Sequence, residues 1–262
     1  MKRFGLIIVG DEILSGKRQD KHLSKVIELL TARGLSLSWA QYIGDDRAAL
    51  TAVLERSFRQ HDVVFSTGGI GATPDDHTRQ AAAAALGREL VLHPEAEGFI
   101  RQRMIDANQG SPDTPEGRQR LRMAEFPAGA AIIPNPYNRI AGFSVGEHYF
   151  VPGFPVMAWP MLEWVLDSCY AELFHHTPQG ERAMLVFETA ESTLTPLMER
   201  VEAAHPDMKV FSLPSVGEGG SGKRSRRHIE LGVKGPADLL PAAWAALRQG
   251  VAELGSEVDE EV

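Results

Sequence analysis

The chain has 262 residues, of which 43% are hydrophobic and 24% charged, ordinary proportions for a globular protein that buries a sizeable core. A formal net charge of −8 supplies no global positive field, so nucleic acid is not an expected partner, and the single cysteine, Cys169, excludes an intrachain disulfide and a multi-cysteine metal site. Met1-Lys2-Arg3 runs into an apolar stretch too short for a signal peptide, with Asp11-Glu12 where a cleavage site would lie, and no run of about 18 apolar residues could span a bilayer. The cytoplasm is the expected compartment, with no membrane partner.

Phe4–Val9 is a continuous apolar run ended by Gly10, the pattern of a strand buried on both faces. Lys21–Arg33 places Val26, Ile27, Leu29 and Leu30 at near-helical spacing, and Gly34 stops it. Leu35–Ile43 alternates as a second strand, and Asp45-Asp46 cap a helix with Leu50, Val53, Leu54 and Phe58 on one stripe. Asp62–Ser66 reads as a third buried strand, followed by a glycine-rich turn. Asp75 or Asp76 should cap the alanine-rich helix that ends at Gly87. Strand and helix alternate as in a mostly parallel sheet with helices on both faces, an α/β fold. Residues 94–124 read as a polar helical pair broken at Gly110-Ser111-Pro112, and Ala130–Ile133, Gly142–Val145 and His148–Val151 as short strands. Pro152-Gly153-Phe154-Pro155 leads into a long helix ending near Phe174, with Cys169, Trp159 and Trp164 expected in the core.

His175–Gly180 is the best linker candidate, which makes residues 1–176 the first domain. Strand 183–189, helix 192–204, strand 208–213, strand 227–233 and helix 236–253 then form a small α+β C-terminal domain over 181–254. Residues 255–262 are an acidic tail expected to stay outside the fold.

Two segments carry chemistry. Gly10-Asp11-Glu12-Ile13-Leu14-Ser15-Gly16 puts two carboxylates at the carboxyl end of the first strand, where open parallel sheets place ligands. Such acids can bind Mg²⁺ through oxygen, accept hydrogen bonds from a ligand, or cap a turn. Ser66-Thr67-Gly68-Gly69-Ile70-Gly71-Ala72-Thr73-Pro74-Asp75-Asp76 sets three glycines between a strand and a helix, so backbone amides can approach an anion closely, with Thr67 and Thr73 as hydroxyl donors. A tight turn capped by aspartate needs one glycine rather than three. Asp75 and Asp76 would repel a bare phosphate, which calls for a cation between them and the ligand. In one doubly wound sheet both segments should face one crevice.

The two segments, read through His77-Thr78 in the second, resemble the signatures of the molybdopterin-binding domain of the CinA family, itself related to MogA and MoaB. Phe126-Pro127-Ala128-Gly129-Ala130, Pro134-Asn135-Pro136, Ala141-Gly142-Phe143 and Val151-Pro152-Gly153-Phe154-Pro155 are similar too, so the match spans roughly residues 4–170. The resemblance implies a site for a phosphate-bearing pterin or nucleotide, with molybdopterin as a candidate ligand. It also implies metal-dependent cleavage of a phosphoanhydride of the ADP-ribose type. Asp11, Asp75 and Asp76 would then act on the side of Mg²⁺ or another divalent cation, as catalytic and metal residues. Gly10, Glu12, Ser15, Thr67, Gly68, Gly69, Gly71, Thr73, Asn135, Pro152 and Gly153 would bind the ligand. A non-catalytic pterin- or nucleotide-binding protein is the alternative, and a homo-oligomer is a further expectation.

Three positions depart from the family pattern: His22 replaces an asparagine, Gly71-Ala72-Thr73-Pro74 replaces Gly-Pro-Thr-Pro, and Asn138-Arg139-Ile140-Ala141-Gly142 replaces Gly-Thr-Ala-Pro-Gly. Full-length CinA proteins continue into a deamidase domain without counterpart here, so nicotinamide mononucleotide deamidation is not carried over.

Gly217-Glu218-Gly219-Gly220-Ser221-Gly222-Lys223 nearly spells a phosphate-binding P-loop, but Arg224 follows where Ser or Thr is required, and a strand where a helix is required. The basic run Lys223–His228 lacks interleaved aromatics and reads as a solvated loop. The histidines show no metal spacing, although His22 and His77 each lie just past a motif.

Overall fold

A computed structural model describes residues 2–175, 178–217 and 223–260. The chain divides into two compact units, Met1–Phe174 and His175–Val262.

The first unit is built in the order β1 (Phe4–Val9), α1 (Asp11–Leu14), α2 (His22–Thr31), β2 (Leu37–Ile43), α3 (Arg47–Phe58), β3 (Val63–Thr67), α4 (Thr78–Ala85), β4 (Leu90–Leu92), α5 (Pro94–Asp106), α6 (Pro115–Leu121), β5 (Glu125–Pro127), β6 (Ala131–Ile133), β7 (Gly142–Val145), β8 (His148–Val151) and α7 (Pro155–Cys169). Its main sheet runs β2-β1-β3-β8-β7-β6. The first four are parallel, and β7 and β6 pair antiparallel at one end, so the sheet is mostly parallel with helices on both faces. Every residue of β1 and β3 is buried, which is why these strands read as unbroken apolar runs. On one face Phe4, Leu6, Ile8 and Phe65 pack with Val26, Leu30, Leu162 and Val165 of α2 and α7. On the other, Ile7, Val9, Val64, Phe143 and Phe150 pack with α3, α4 and α5. The register pairs Val9 with Ile43, Ile8 with Thr67 and Thr67 with Val151, which brings the carboxyl ends of β2, β1, β3 and β8 to one edge.

Several local expectations are corrected. Asp46 alone caps α3, accepting from the Ala49 amide at 2.7 Å, while Asp45 bonds elsewhere. Neither Asp75 nor Asp76 caps α4, whose N-cap position is His77 without a side-chain bond. The β4–β5 ribbon carries no sequence signal strong enough to announce it. Cys169 is exposed and Trp164 is 41% exposed, because the buried face of α7 is taken by Ala158, Met161, Leu162, Val165 and Leu166, with Trp159 packed partly buried beside them.

The second unit comprises β9 (Gln179–Phe187), α8 (Glu191–Ala204), β10 (Lys209–Ser215), β11 (His228–Pro236), α9 (Leu240–Glu253) and β12 (Val258–Asp259). It forms an antiparallel sheet in the order β10-β11-β9-β12, with Leu194, Leu197, Trp244 and Leu247 of α8 and α9 packed on Met184, Val186, Leu231 and Val233. Two expectations change here. Gln179 and Gly180 belong to β9 rather than to a linker, and Val258–Asp259 pairs with β9, so part of the acidic end is in the fold. The near-P-loop falls largely outside the described residues, at 218–222. Two arginines of the basic run beyond it are paired with acids: Arg226 makes a two-pronged pair with Glu257 at 2.7 and 2.9 Å, and Arg224 lies 3.5 Å from Glu230.

Candidate functional site

The loops leaving the aligned strand ends enclose a cavity of about 720 Å³. Gly10 and Glu12 come from the β1 end, Asp45 from the β2 end, and residues 67–73, 75 and 76 from the β3 end. Pro152, Gly153 and Phe154 come from the β8 end. Ligand crevices of open α/β sheets lie outside the strand carboxyl ends in this way.

The glycine turn is the tightest part of the wall. Gly68 and Gly69 hold φ values of 99° and 68°, left-handed geometry that disfavours any side chain. A Cβ on Gly68 would overlap the Val9 carbonyl oxygen, and one on Gly69 would overlap Thr78 Oγ1. The Gly68 amide donates to the Val151 carbonyl at 3.0 Å, and the buried Thr78 hydroxyl donates to the Gly68 carbonyl at 2.9 Å. Among the described residues the Gly69, Ile70 and Gly71 amides have no backbone acceptor.

Beyond the turn, Asp76 accepts from the Thr73 amide at 2.8 Å and from the Thr73 hydroxyl, so its carboxylate closes the 73–76 loop. Asp75 is exposed and lines the cavity, and hydrogen bonding with the Thr73 side chain holds its carboxyl below the usual carboxylate range. Beneath the turn lies Arg79, 1% exposed, whose guanidinium donates to the carbonyls of Gly71 at 2.5 Å, Glu125 at 3.3 Å and Arg122. It fastens the turn to the 122–125 segment, and burial lowers its pKa.

At the β1 and β2 ends two acids hold each other's backbone. The Asp11 amide donates to Asp45 Oδ2 at 2.9 Å, and the Asp45 amide donates to Asp11 Oδ1 at 3.2 Å. Asp45 lines the cavity and Asp11 does not. Burial, then the nearby charges of Asp11, Glu12 and Asp75, push the Asp45 carboxyl up, partly offset by the backbone bond at Asp11. Arg18 and Lys21 also line the cavity, and neither side chain has an ion-pair partner among the described residues. The cavity therefore sets two uncommitted cations beside a group of carboxylates. Among the described residues no three His, Cys, Asp or Glu side chains stand together to hold a metal ion by themselves.

Of the residues singled out in the sequence, Gly10, Glu12, Thr67, Gly68, Gly69, Gly71, Thr73, Asp75, Asp76, Pro152 and Gly153 share this one cavity. Asp11, Ser15 and Asn135 do not line it; the first two are exposed and Asn135 is buried. Asn135 acts one step away: its amide donates to Asn138 Oδ1 and the Ile140 carbonyl, both at 2.9 Å, and it is Asn138 and Ile140 that line the space. Sequence reasoning missed Asp45, Arg18, Lys21 and Arg79 as parts of the site. For Asp45 a signal existed, because it follows the end of β2 much as Asp11 follows β1. Arg79 carried none, since an arginine in an alanine-rich helix looks solvent-facing.

A family model described as a probable molybdopterin binding domain matches residues 5–173. A CinA-like protein from Geobacter metallireducens is 32% identical over 210 residues, 78% of this chain and 50% of that protein. A protein from Pyrobaculum calidifontis is 30% identical over 213 residues, 80% of this chain and 79% of its own length. The crystal structure of the protein CinA, of unknown function, from Thermoplasma acidophilum superposes with a TM-score of 0.55 at 27% identity, covering 64% of this chain and 98% of that one. The chain spans about half the length of the first CinA-like proteins it matches.

Proposed function

This chain belongs to the molybdopterin-binding domain family, of the CinA N-terminal, MogA- and MoaB-like type, and from that premise we propose that its first unit holds a phosphate-bearing pterin or nucleotide and hydrolyses a phosphoanhydride. The observation that carries the reading is the convergence of a left-handed glycine turn, free backbone amides and two unpaired cations on one cavity. Amides at a strand-to-helix turn and nearby Arg and Lys side chains are the usual partners of phosphate oxygens. Arg18 and Lys21 would draw the anionic end in, and the Gly69–Gly71 amides would fix it. The apolar side chains of Ile140, Phe154 and Met157 offer a surface for a planar ring.

The donor set fits a divalent cation that arrives with the ligand rather than one held by the protein alone. Mg²⁺ commonly keeps several waters and binds one or two carboxylates together with substrate phosphates. Glu12, Asp45, Asp75 and Asp76 are the carboxylates lining the cavity. Among the described residues Glu12 alone of the four makes no side-chain hydrogen bond, since Asp45 accepts from the Asp11 amide and Asp75 and Asp76 engage Thr73. Glu12 would thus meet the ion directly, and the others with an oxygen their present bonds leave over. When bound, the ion neutralises phosphate charge and lowers the pKa of a water. The test is release of AMP from ADP-ribose with Mg²⁺ and with chelator. AMP that appears only with the metal supports the hydrolase.

One observation favours a second reading, the lack of a ready three-carboxylate cluster among the described residues. A purely binding protein would retain ADP-ribose or a pterin intact. Cytoplasmic location and self-association belong to the same proposal, and are read by fractionation and light scattering. No helix among the described residues is long and apolar enough to cross a membrane.

A further inference from the structure

Away from the strand-end cavity lies a second hollow of about 460 Å³, between α6 and the β4–β5 ribbon. Leu92 of β4 and Pro115 and Leu121 of α6 give it an apolar side. Its polar side is Arg118, Gln119, Arg122 and Glu125. Positive charge is in excess there. Arg118 donates to the Asp113 carbonyl and makes no ion pair among the described residues, which leaves most of its N–H groups unused. Arg122 donates to Gln119 Oε1 at 3.4 Å and stays 3.9 Å from the Glu125 carboxylate. A third guanidinium, that of Arg79, is buried against the Arg122 and Glu125 carbonyls and makes no ion pair among the described residues either. The Arg122 charge opposes that of Arg79. A buried charge without a counter-charge is costly, and an anion bound beside it lowers that cost.

The hollow is also joined to the glycine turn. Gln119 donates its side-chain amide to the Ala72 carbonyl, and its Oε1 faces Arg122. Arg79 ties the Arg122 and Glu125 carbonyls to that of Gly71. Gly71 and Ala72 line the strand-end cavity. An anion that engages Arg122 therefore acts on two hydrogen-bonded routes to the turn.

We propose that this hollow is an effector site for a small organic anion, an oxyanion group next to an apolar one, and that its occupancy is transmitted to the glycine turn. The planar forks of Arg118 and Arg122 match the oxygens of a carboxylate or phosphate, and Leu92, Pro115 and Leu121 cover the apolar part. Glu125 repels a highly charged ligand, which favours one oxyanion group per molecule. The site stands independently of how the strand-end cavity is read, and only the effect on that cavity's ligand rests on the pterin or nucleotide reading.

Benzoate and phenyl phosphate are titrated into the full chain, with nitrogen-15 chemical shifts as the readout and melting temperature as the fold control. Both should shift the Gln119 side-chain amide saturably, and the tighter of the two tells a carboxylate ligand from a phosphate one. The Ala72 backbone amide should move with the same midpoint. Arg118→Gln combined with Arg122→Gln should melt like the parent and lose about tenfold or more in affinity for the tighter probe. Arg18→Gln combined with Lys21→Gln, in the strand-end cavity, should bind that probe as the parent does. Absence of a saturable Gln119 shift with both probes overturns the site, as does parent-like binding by the Arg118/Arg122 double variant. Loss of binding in the Arg18/Lys21 variant instead places the probe in the strand-end cavity and overturns it too. A Gln119 shift that saturates while Ala72 stays still overturns the transmission. AMP and neopterin, titrated separately, test the strand-end cavity: a chain that binds benzoate but neither of these keeps the effector site and loses the pterin or nucleotide reading.

Discussion

Alanine at position 69 strains the glycine turn twice. The backbone there sits at φ 68°, which costs an L-residue about 1–2 kcal/mol. The new Cβ would also overlap Thr78 Oγ1, and moving that hydroxyl breaks its buried bond to the Gly68 carbonyl, about 1–3 kcal/mol. Gly69→Ala should therefore destabilise the first unit by about 2–5 kcal/mol. Thr78→Ala alone should cost about 1–3 kcal/mol, the lost hydrogen bond. In the double variant the overlap is gone and the lost bond is counted once, so the combined cost should fall short of the sum by about 1–3 kcal/mol. Urea unfolding followed by circular dichroism gives all four corners of the cycle. Additivity within about 0.5 kcal/mol would refute the argument that Thr78 is what the glycine makes room for. The cycle also tells apart two reasons for a glycine. If Gly69→Ala weakens ligand binding in the Thr78→Ala background, where the overlap is relieved, the space at Gly69 is used by the ligand as well.

Three other outcomes are expected. Burial holds the His148 imidazole down at about 4 from 6.5, so the folded state keeps it neutral; stability is full above about pH 6.5 and falls by about 3 kcal/mol towards pH 4 as the unfolded chain takes up the proton. His148→Gln should flatten that part of the stability–pH curve, and an unchanged slope would exclude His148 as its source. Asp75→Asn should shift the Mg²⁺ titration of binding or turnover by about tenfold or more, whereas Asp76→Asn, which weakens the acceptor of the Thr73 amide, should lower the melting temperature further than Asp75→Asn does and barely move the titration. The reverse pattern would show that Asp76 leaves its loop to meet the ion. Arg79→Met strips a donor from three carbonyls and should cost on the order of 3 kcal/mol, with Arg79→Lys recovering part; a parent-like urea midpoint for Arg79→Met would show that those carbonyls find water instead.

The fold was legible where burial is simple. Phe4–Val9 and Val63–Thr67 are covered on both faces, so their apolar runs admit little but a central strand, and the helices between them show their inner stripes. The glycine turn was legible because three glycines in five residues are otherwise wasteful. What stayed hidden depends on which of two similar groups takes a given hydrogen bond. Asp45 and Asp46 are adjacent and chemically alike, yet one caps α3 and the other meets Asp11, 34 positions away. Asp75 and Asp76 both engage Thr73, yet only Asp76 accepts from its amide, and a sequence pattern has no means of telling neighbours apart. Cys169 and Trp164 misled for a different reason. A helix apolar nearly all round hides which of its faces meets the sheet.

The alignment of four parallel strand ends has a consequence for how such a protein can diverge. Each stretch of cavity wall hangs from its own strand, and each strand keeps its ladder whatever its loop contains. Arg18, Lys21 and Phe154 can thus change one at a time without shifting the others' footing, whereas Asp45 is tied to Asp11 and Gly153 to His22 across loops. Selection can then alter what the cavity accepts in separate steps, each leaving a folded intermediate. Grafting single loops between related chains should follow the same logic and transfer ligand preference piecemeal, so long as Gly68 keeps its close approach to Val9 and Arg79 its three carbonyls.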